Sequence, residues 1–299
     1  MIRFANENDL NEIKSLWKEC FGDSEEYIQF FFSNHNVEKE TLVYTIESKV
    51  VGMLNLLPAT IKMADGYKPI RYVYAVGTLK NYRGRGIARD LLNYANQELN
   101  KIGVTTVLVP ASQTLFDYYK KQGYQTIFYM SEKQQDLSEN VSSVSATSIN
   151  EFDTTENIRI EDITPYEYKK LRDEHFEELG YVSWGIESIG YAIEENQLLG
   201  GETKKVLLNE KPYIVMYYVQ EDTIVIKEST IPELYVPYVF QSILQNKSYS
   251  QIKIRSSKEV LSEGMLRPFG MIYNNVVDSQ TKYFTELNNK AGYINLVLD

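Results

Sequence analysis

The chain has 299 residues, enough for two ordinary domains that each bury a core. Its formal charge of −10 sets it apart from general binders of nucleic acid or anionic membrane, which need a net or patchy positive field. A single cysteine, Cys20, excludes an intrachain disulfide, and two histidines, His35 and His175, do not form a ligand cluster at structural-zinc spacing, so no metal is expected. The N-terminus carries charges and no apolar leader core, and no long apolar run follows. The chain therefore reads as soluble and cytoplasmic, with its oligomeric state left open.

Ile2-Arg3-Phe4-Ala5 predicts a short strand, and Asp9 with Glu12 three residues on predicts a capped helix carrying Ile13, Leu16, Trp17 and Phe21. Gly22 ends it. Asp23-Ser24-Glu25-Glu26 opens a second helix through Tyr27, Ile28 and Phe30 to Phe32, whose aromatic residues suit a core or one wall of a pocket. Strands are expected at 41–46, 51–57 and 59–63, and Asp65-Gly66 is a hairpin signal leading into a strand at 70–78. This is an antiparallel meander.

The strand Tyr72 to Thr78 runs into Leu79-Lys80-Asn81-Tyr82 and then Arg83-Gly84-Arg85-Gly86-Ile87-Ala88. From Ile87 the apolar residues Leu91, Leu92, Ala95, Leu99 and Ile102 recur mostly at three- and four-residue steps, the stripe of an amphipathic helix ended by Gly103. The glycine turn therefore sits at a helix N-terminus, where unpaired N–H groups and the helix dipole favour a bound phosphate. A P-loop is excluded, because no Lys-Ser/Thr follows the glycines. A dinucleotide fingerprint is excluded as well: position 89 is Arg, and the next strand, 104–109, carries no acid.

What remains is Arg-x-x-Gly-x-Ala on Arg83, Gly86 and Ala88, followed by a parallel strand at 104–109 and then Tyr119-Lys120-Lys121-Gln122-Gly123-Tyr124. Over residues 1–137 this pattern resembles the GCN5-related N-acetyltransferases, whose pyrophosphate loop is Arg/Gln-x-x-Gly-x-Gly/Ala and whose later signature is Tyr-x-x-x-Gly-Phe. Lys80 stands where many members have Pro, and Thr78 where they have an apolar residue.

The resemblance implies an α/β (α+β) fold with a mixed, mostly antiparallel sheet flanked by helices. It implies acetyl-CoA as cosubstrate and an amine acceptor that attacks the thioester directly, with no nucleic-acid or membrane partner. Residues 83–88, namely Arg83, Gly84, Arg85, Gly86, Ile87 and Ala88, would hold the pyrophosphate. Val76, Gly77 and Thr78 would meet the pantetheine arm and the carbonyl where two strands splay. Tyr119 would donate to the departing thiolate, with Tyr118 the neighbour to test. No motif identifies a base among Asp23, Glu25, Glu26, Asp117 and the terminal carboxylate.

The polar tract 138–157 reads as a linker between a domain at 1–137 and a second at 158–299. The second half is expected to run strand 158–160, helix 165–177, strands 204–208, 213–219 and 223–228, helix 235–246, strand 251–255, helix 258–265 and strand 269–273. It repeats the first half, with Ser229-Thr230-Ile231-Pro232-Glu233-Leu234 in place of the glycine turn, and so reads as a degenerate copy lacking the cofactor loop. The end, Gly292 to Asp299, reads as a docked strand. Some multi-domain relatives bring their terminal carboxylate into the active site as the base, which makes Asp299 a catalytic candidate. Two other readings stay open: a tandem-domain aminoacyl transferase, which the acidic balance and the intact loop disfavour, and a non-catalytic acyl-CoA sensor.

Overall fold

The computed structural model describes residues 1–136, 158–177, 180–244, 249–273 and 292–296. They divide into two compact units, 1–127 with 270–273, and 128–269 with 292–296. The expected linker lies outside the described residues. The division falls instead at 127/128, inside a continuous strand, and a short piece of the expected second domain belongs to the first unit.

The first unit begins with β1 (Ile2–Phe4), α1 (Leu10–Phe21), α2 (Glu25–Asn34) and the short α3 (Val37–Glu40). The capping box forms one turn earlier than the sequence suggested: Asp9 accepts the Asn6 N–H at 2.8 Å and is clamped by Arg3. Glu12 instead accepts the Val50 N–H at 2.7 Å, tying α1 to the sheet. Ser24 caps α2 as expected from its side chain and position.

β2 (Thr41–Ile46), β3 (Lys49–Met63) and β4 (Gly66–Thr78) form the meander. The two strands expected at 51–57 and 59–63 are one, because Pro58 lies beyond Asn55, the last residue that β2 pairs. After α4 (Ile87–Asn100), β5 (Thr105–Leu108) runs parallel to β4, and α5 (Gln113–Lys120) leads into β6 (Tyr124–Asp136). Ile102 lies past the end of α4 and is exposed, so the apolar stripe closes at Leu99. The sheet order is β1-β2-β3-β4-β5, with residues 270–273 antiparallel to β5. Leu54, Leu56, Val73, Leu91, Leu92 and Met271 share its core.

The second unit contains β7 (Ile158–Asp162), α6 (Pro165–Phe176), β8 (Val182–Trp184), α7 (Ile186–Leu198), β9 (Glu202–Leu208), β10 (Lys211–Gln220) and β11 (Thr223–Ser229). It continues with α8 (Val236–Leu244), β12 (Gln251–Ser256) and β13 (Met265–Tyr273), whose last four residues are those of the first unit. Its sheet runs β6-β12-β11-β10-β9-β7, with one parallel pair, β11 with β12. The helix expected at 258–265 does not form: Leu261 donates to Ser257 at 3.0 Å and the chain turns at Gly264 into β13. Among the described residues no helix is long and apolar enough to cross a membrane.

Candidate functional site

The site begins as an irregularity in β4. Met53 pairs with Gly77 and Asn55 with Tyr74, so Ala75 and Val76 together stand opposite Leu54. That is a β-bulge, and Ala75 adopts a positive φ of 50° to make it. β5 accompanies β4 only from Ile70 to Tyr72, so the strands have parted before the bulge. Leu79 donates to Val51 at 3.0 Å, and by strand alternation the polar groups of Thr78 face away from β3, towards the opening. The Thr78 carbonyl there accepts Arg83 Nε at 3.0 Å and the Cys20 thiol at 3.4 Å.

The chain then makes a short turn, Lys80–Tyr82, and enters α4 through Gly86, whose φ of 82° suits glycine. No side chain caps this helix, and its first backbone acceptor, Gly86 O, is taken by Asp90 N at 2.9 Å. The N–H groups of the preceding first turn have no intrahelical partner. The Arg89 guanidinium folds back over Gly86 and pairs with Asp90 at 3.0 Å.

Between the parted strand and this helix start lies a cleft of about 420 Å³. Val76, Gly77 and Thr78 line it from β4; Arg83, Gly84, Gly86, Ile87 and Ala88 line it from the turn and α4. Tyr118 and Tyr119 line it from α5. Of the residues expected to meet the cofactor, Arg85 is not part of the lining; its guanidinium donates to Asn81 O at 3.3 Å and lies over the Tyr82 ring. Asp299 lies outside the described residues.

Tyr119 is 9% exposed, and burial, with Tyr118 beside it, pushes its hydroxyl up to about 12. Burial also raises Tyr118, with Arg89 opposing. Against an ordinary thiol near 8.5, complete proton transfer from Tyr119 to a thiolate is uphill by about 5 kcal/mol. A hydrogen bond that strengthens as the thiolate leaves fits these values; a free phenolate does not.

Four lining residues, Cys20, Phe21, Tyr82 and Leu115, were not singled out by sequence. Cys20 and Phe21, at the end of α1, border the cleft, and Phe21 is 42% exposed rather than part of the core stripe. Burial raises the Cys20 thiol, so it sits there protonated. Helical spacing places both on the last turn of α1, but only the proximity of α1 to the end of β4 brings them to the site. Trp17 of α1 and Phe31 and Phe32 of α2 are core, with the Trp17 and Phe31 ring centroids 4.6 Å apart. Asp23, a candidate base, accepts the Trp17 indole N–H at 2.7 Å, and neither it nor Glu25, Glu26 or Asp117 lines the cleft.

Residues 1–127 match the family profile described as Acetyltransferase (GNAT) domain. They are a GNAT domain. Over 91% of the chain the fold also matches a GCN5-related N-acetyltransferase from Anabaena variabilis ATCC 29413, with 18% identity, a TM-score of 0.68 and 72% of that chain covered. A conserved protein of Enterococcus faecalis V583, described as a probable N-acyltransferase, matches over 91% of this chain and 72% of its own, with 13% identity and a TM-score of 0.69. Eis1 from Mycobacterium abscessus matches over 91% and 73%, with 11% identity and a TM-score of 0.64. At these identities the likeness is one of fold: mixed α/β, mostly antiparallel, flanked by helices. No curated protein matches the sequence significantly. The family match places the GNAT domain among acyltransferases.

The turn after β11 in the second unit is built differently. β11 also slips register, Met216 pairing with Glu228 and Tyr217 with Ile226, which leaves Lys227 extra. Beyond it the Ser229 hydroxyl accepts the Ile231 N–H at 3.0 Å, and the Ser229 carbonyl accepts the Ser256 hydroxyl at 2.7 Å. Ile231 is buried and Glu233 pairs with Lys133. Glu228, fully buried, accepts from Arg172, Tyr168 and Tyr293. Residues 292–296 are docked here rather than forming a strand: Tyr129 donates to Gly292 O at 3.0 Å, Val182 to Tyr293 O at 2.8 Å, and Asn295 Nδ2 to Lys227 O at 2.7 Å.

Proposed function

We propose that the GNAT domain binds acetyl-CoA in this cleft and transfers the acetyl group to a small-molecule or peptide amine by direct attack in a ternary complex. The observation that carries the reading is the conjunction of three features in one cleft: a bulged strand edge parted from its parallel neighbour, an uncapped helix start behind paired glycines, and Tyr119. The diphosphate would lie on the N–H groups of residues 84–88, compensated by Arg83 and Arg89. The pantetheine arm would take the place of the missing β5 pairing along Val76 to Thr78. Backbone N–H groups of that edge would hold the carbonyl as it becomes an oxyanion, and Tyr119 would donate to the leaving sulfur.

We read the second half as a degenerate GNAT-like domain without a cofactor of its own. Its turn supports that reading, because Ile231 and the Ser229 hydroxyl fill the space and use the donor that a phosphate would need. Reducing surroundings, as in cytoplasm, suit a chain whose single cysteine, Cys20, has no second cysteine to pair with.

A non-catalytic acyl-CoA sensor is the second reading. Tyr119 favours the enzyme, since a mostly buried tyrosine in the lining supplies a proton donor that binding alone does not need. Thiol release from acetyl-CoA, measured with a panel of small amines and peptides, tests the proposal. Amine-dependent release supports it; tight binding with no release across the panel favours the sensor.

A further inference from the structure

The signature that carries Tyr119 ends on Gly123 and Tyr124, and the side chain closing over it comes from the far end of the sequence. Residues 270–273 run antiparallel to β5, with Met271 opposite Leu108 and Ile272 opposite Val107. The Thr105 hydroxyl donates to Tyr273 O at 2.8 Å, fixing the strand's last residue. Its ring lies on Gly123: a Cβ added there would stand 2.9 Å from Tyr273 Cε2. Gly123 also has φ 89°, so backbone and neighbour both require glycine.

From Tyr273 the contact passes ring to ring. Tyr273 meets Tyr124 edge-on, with centroids 5.4 Å apart, and Tyr124 meets Tyr119 edge-on at 5.8 Å. Tyr124 is held in place, because its hydroxyl bonds Thr106 Oγ1 at 2.8 Å and accepts Asn96 Nδ2 at 3.4 Å in a buried set. Such edge-to-face pairs have a preferred geometry, so each ring constrains the next.

We infer that Tyr273 is a positioning residue for Tyr119, and that it acts through its ring rather than its hydroxyl. The inference rests on the reading of Tyr119 as donor to the departing thiolate. Without the Tyr273 ring, the floor beneath Gly123 and Tyr124 is open, and the Tyr119 hydroxyl is free to drift from the leaving sulfur. A displacement of about 1 Å at a reacting group costs on the order of a hundredfold in rate.

The test uses the full chain with Tyr273→Ala, Tyr273→Phe and Tyr119→Phe, each assayed for acetyl transfer and for acetyl-CoA affinity by calorimetry. Tyr273→Ala should lower kcat by about tenfold or more while leaving acetyl-CoA Kd within about twofold, and Tyr273→Phe should restore wild-type turnover. If Tyr273→Ala does not fold, Tyr273→Leu keeps most of the volume without the flat ring and should show the same kcat loss. Wild-type turnover in the Ala or Leu variant, with Tyr119→Phe impaired, overturns the inference alone, as does a Phe variant as slow as Ala. Wild-type turnover in Tyr119→Phe overturns the reading beneath it as well.

Discussion

The turn after β4 and the turn after β11 follow the same preparation, a register slip in a strand that runs parallel to a neighbour, and then diverge. After β4 the chain spends glycines, leaves a helix start uncapped and gathers Arg83 and Arg89. After β11 it places Ile231 in the space, bonds Ser229 to its own backbone and neutralises Glu233 with Lys133. A binding turn is one whose donors are left over. A structural turn is one whose donors are already used.

The comparison breaks most visibly at Glu228. Replacing it by Leu leaves Arg172 buried without its partner, so stability should fall by about 3–5 kcal/mol in denaturant titration. Acetyl-CoA affinity of the protein that remains folded should not change. Loss of affinity without loss of stability would mean that the second turn serves binding after all.

Next in size is the loss of Tyr119. Tyr119→Phe should lower kcat by roughly tenfold to a thousandfold with little change in acetyl-CoA affinity, measured by steady-state kinetics beside calorimetry. Tyr118→Phe is the control, since both rings line the cleft and Tyr118 is the more exposed. A large effect at Tyr118 and none at Tyr119 would reassign the donor.

A smaller effect appears in alkali. Tyr119 keeps its proton in the folded protein up to about 12, whereas an unfolded tyrosine loses it near 10. The unfolded state therefore binds fewer protons between those values, and stability falls as pH rises from about 10 towards about 12. Phe at 119 removes this contribution, about 2–3 kcal/mol at its full extent. The wild-type and Tyr119→Phe melting curves should accordingly converge in the mutant's favour as pH rises from 9 to about 11. Parallel curves would contradict the burial of Tyr119.

Much of the first unit was legible because its signals are local. The glycine turn, the stripe from Ile87 to Leu99 and the spacing of Tyr119 to Gly123 all fall within one stretch of chain, and each constrains backbone geometry directly. The strand 270–273 was not legible as part of that unit, because Thr105 and Tyr273 lie 168 residues apart and no local pattern records such a pairing. For the same reason a fragment ending at residue 137 lacks a strand of its own first unit. Helix α7 was missed because Glu195 sits inside its apolar face, buried against Lys227 and Tyr191, and so interrupts the periodicity. The cleft position of Cys20 and Phe21 follows from how α1 lies on the sheet, which spacing alone does not report.

The most direct measurement is a calorimetric titration of acetyl-CoA into the wild-type chain and into Gly86→Val. Valine cannot readily adopt the φ of 82° that admits the chain to α4, and its side chain would intrude on Arg89. The wild type should bind at one site per chain, and the variant, still folding cooperatively, should bind at least about tenfold more weakly, about 1.4 kcal/mol. Two sites per wild-type chain, or unchanged affinity in folded Gly86→Val, would contradict the assignment of acyl-CoA to the first turn.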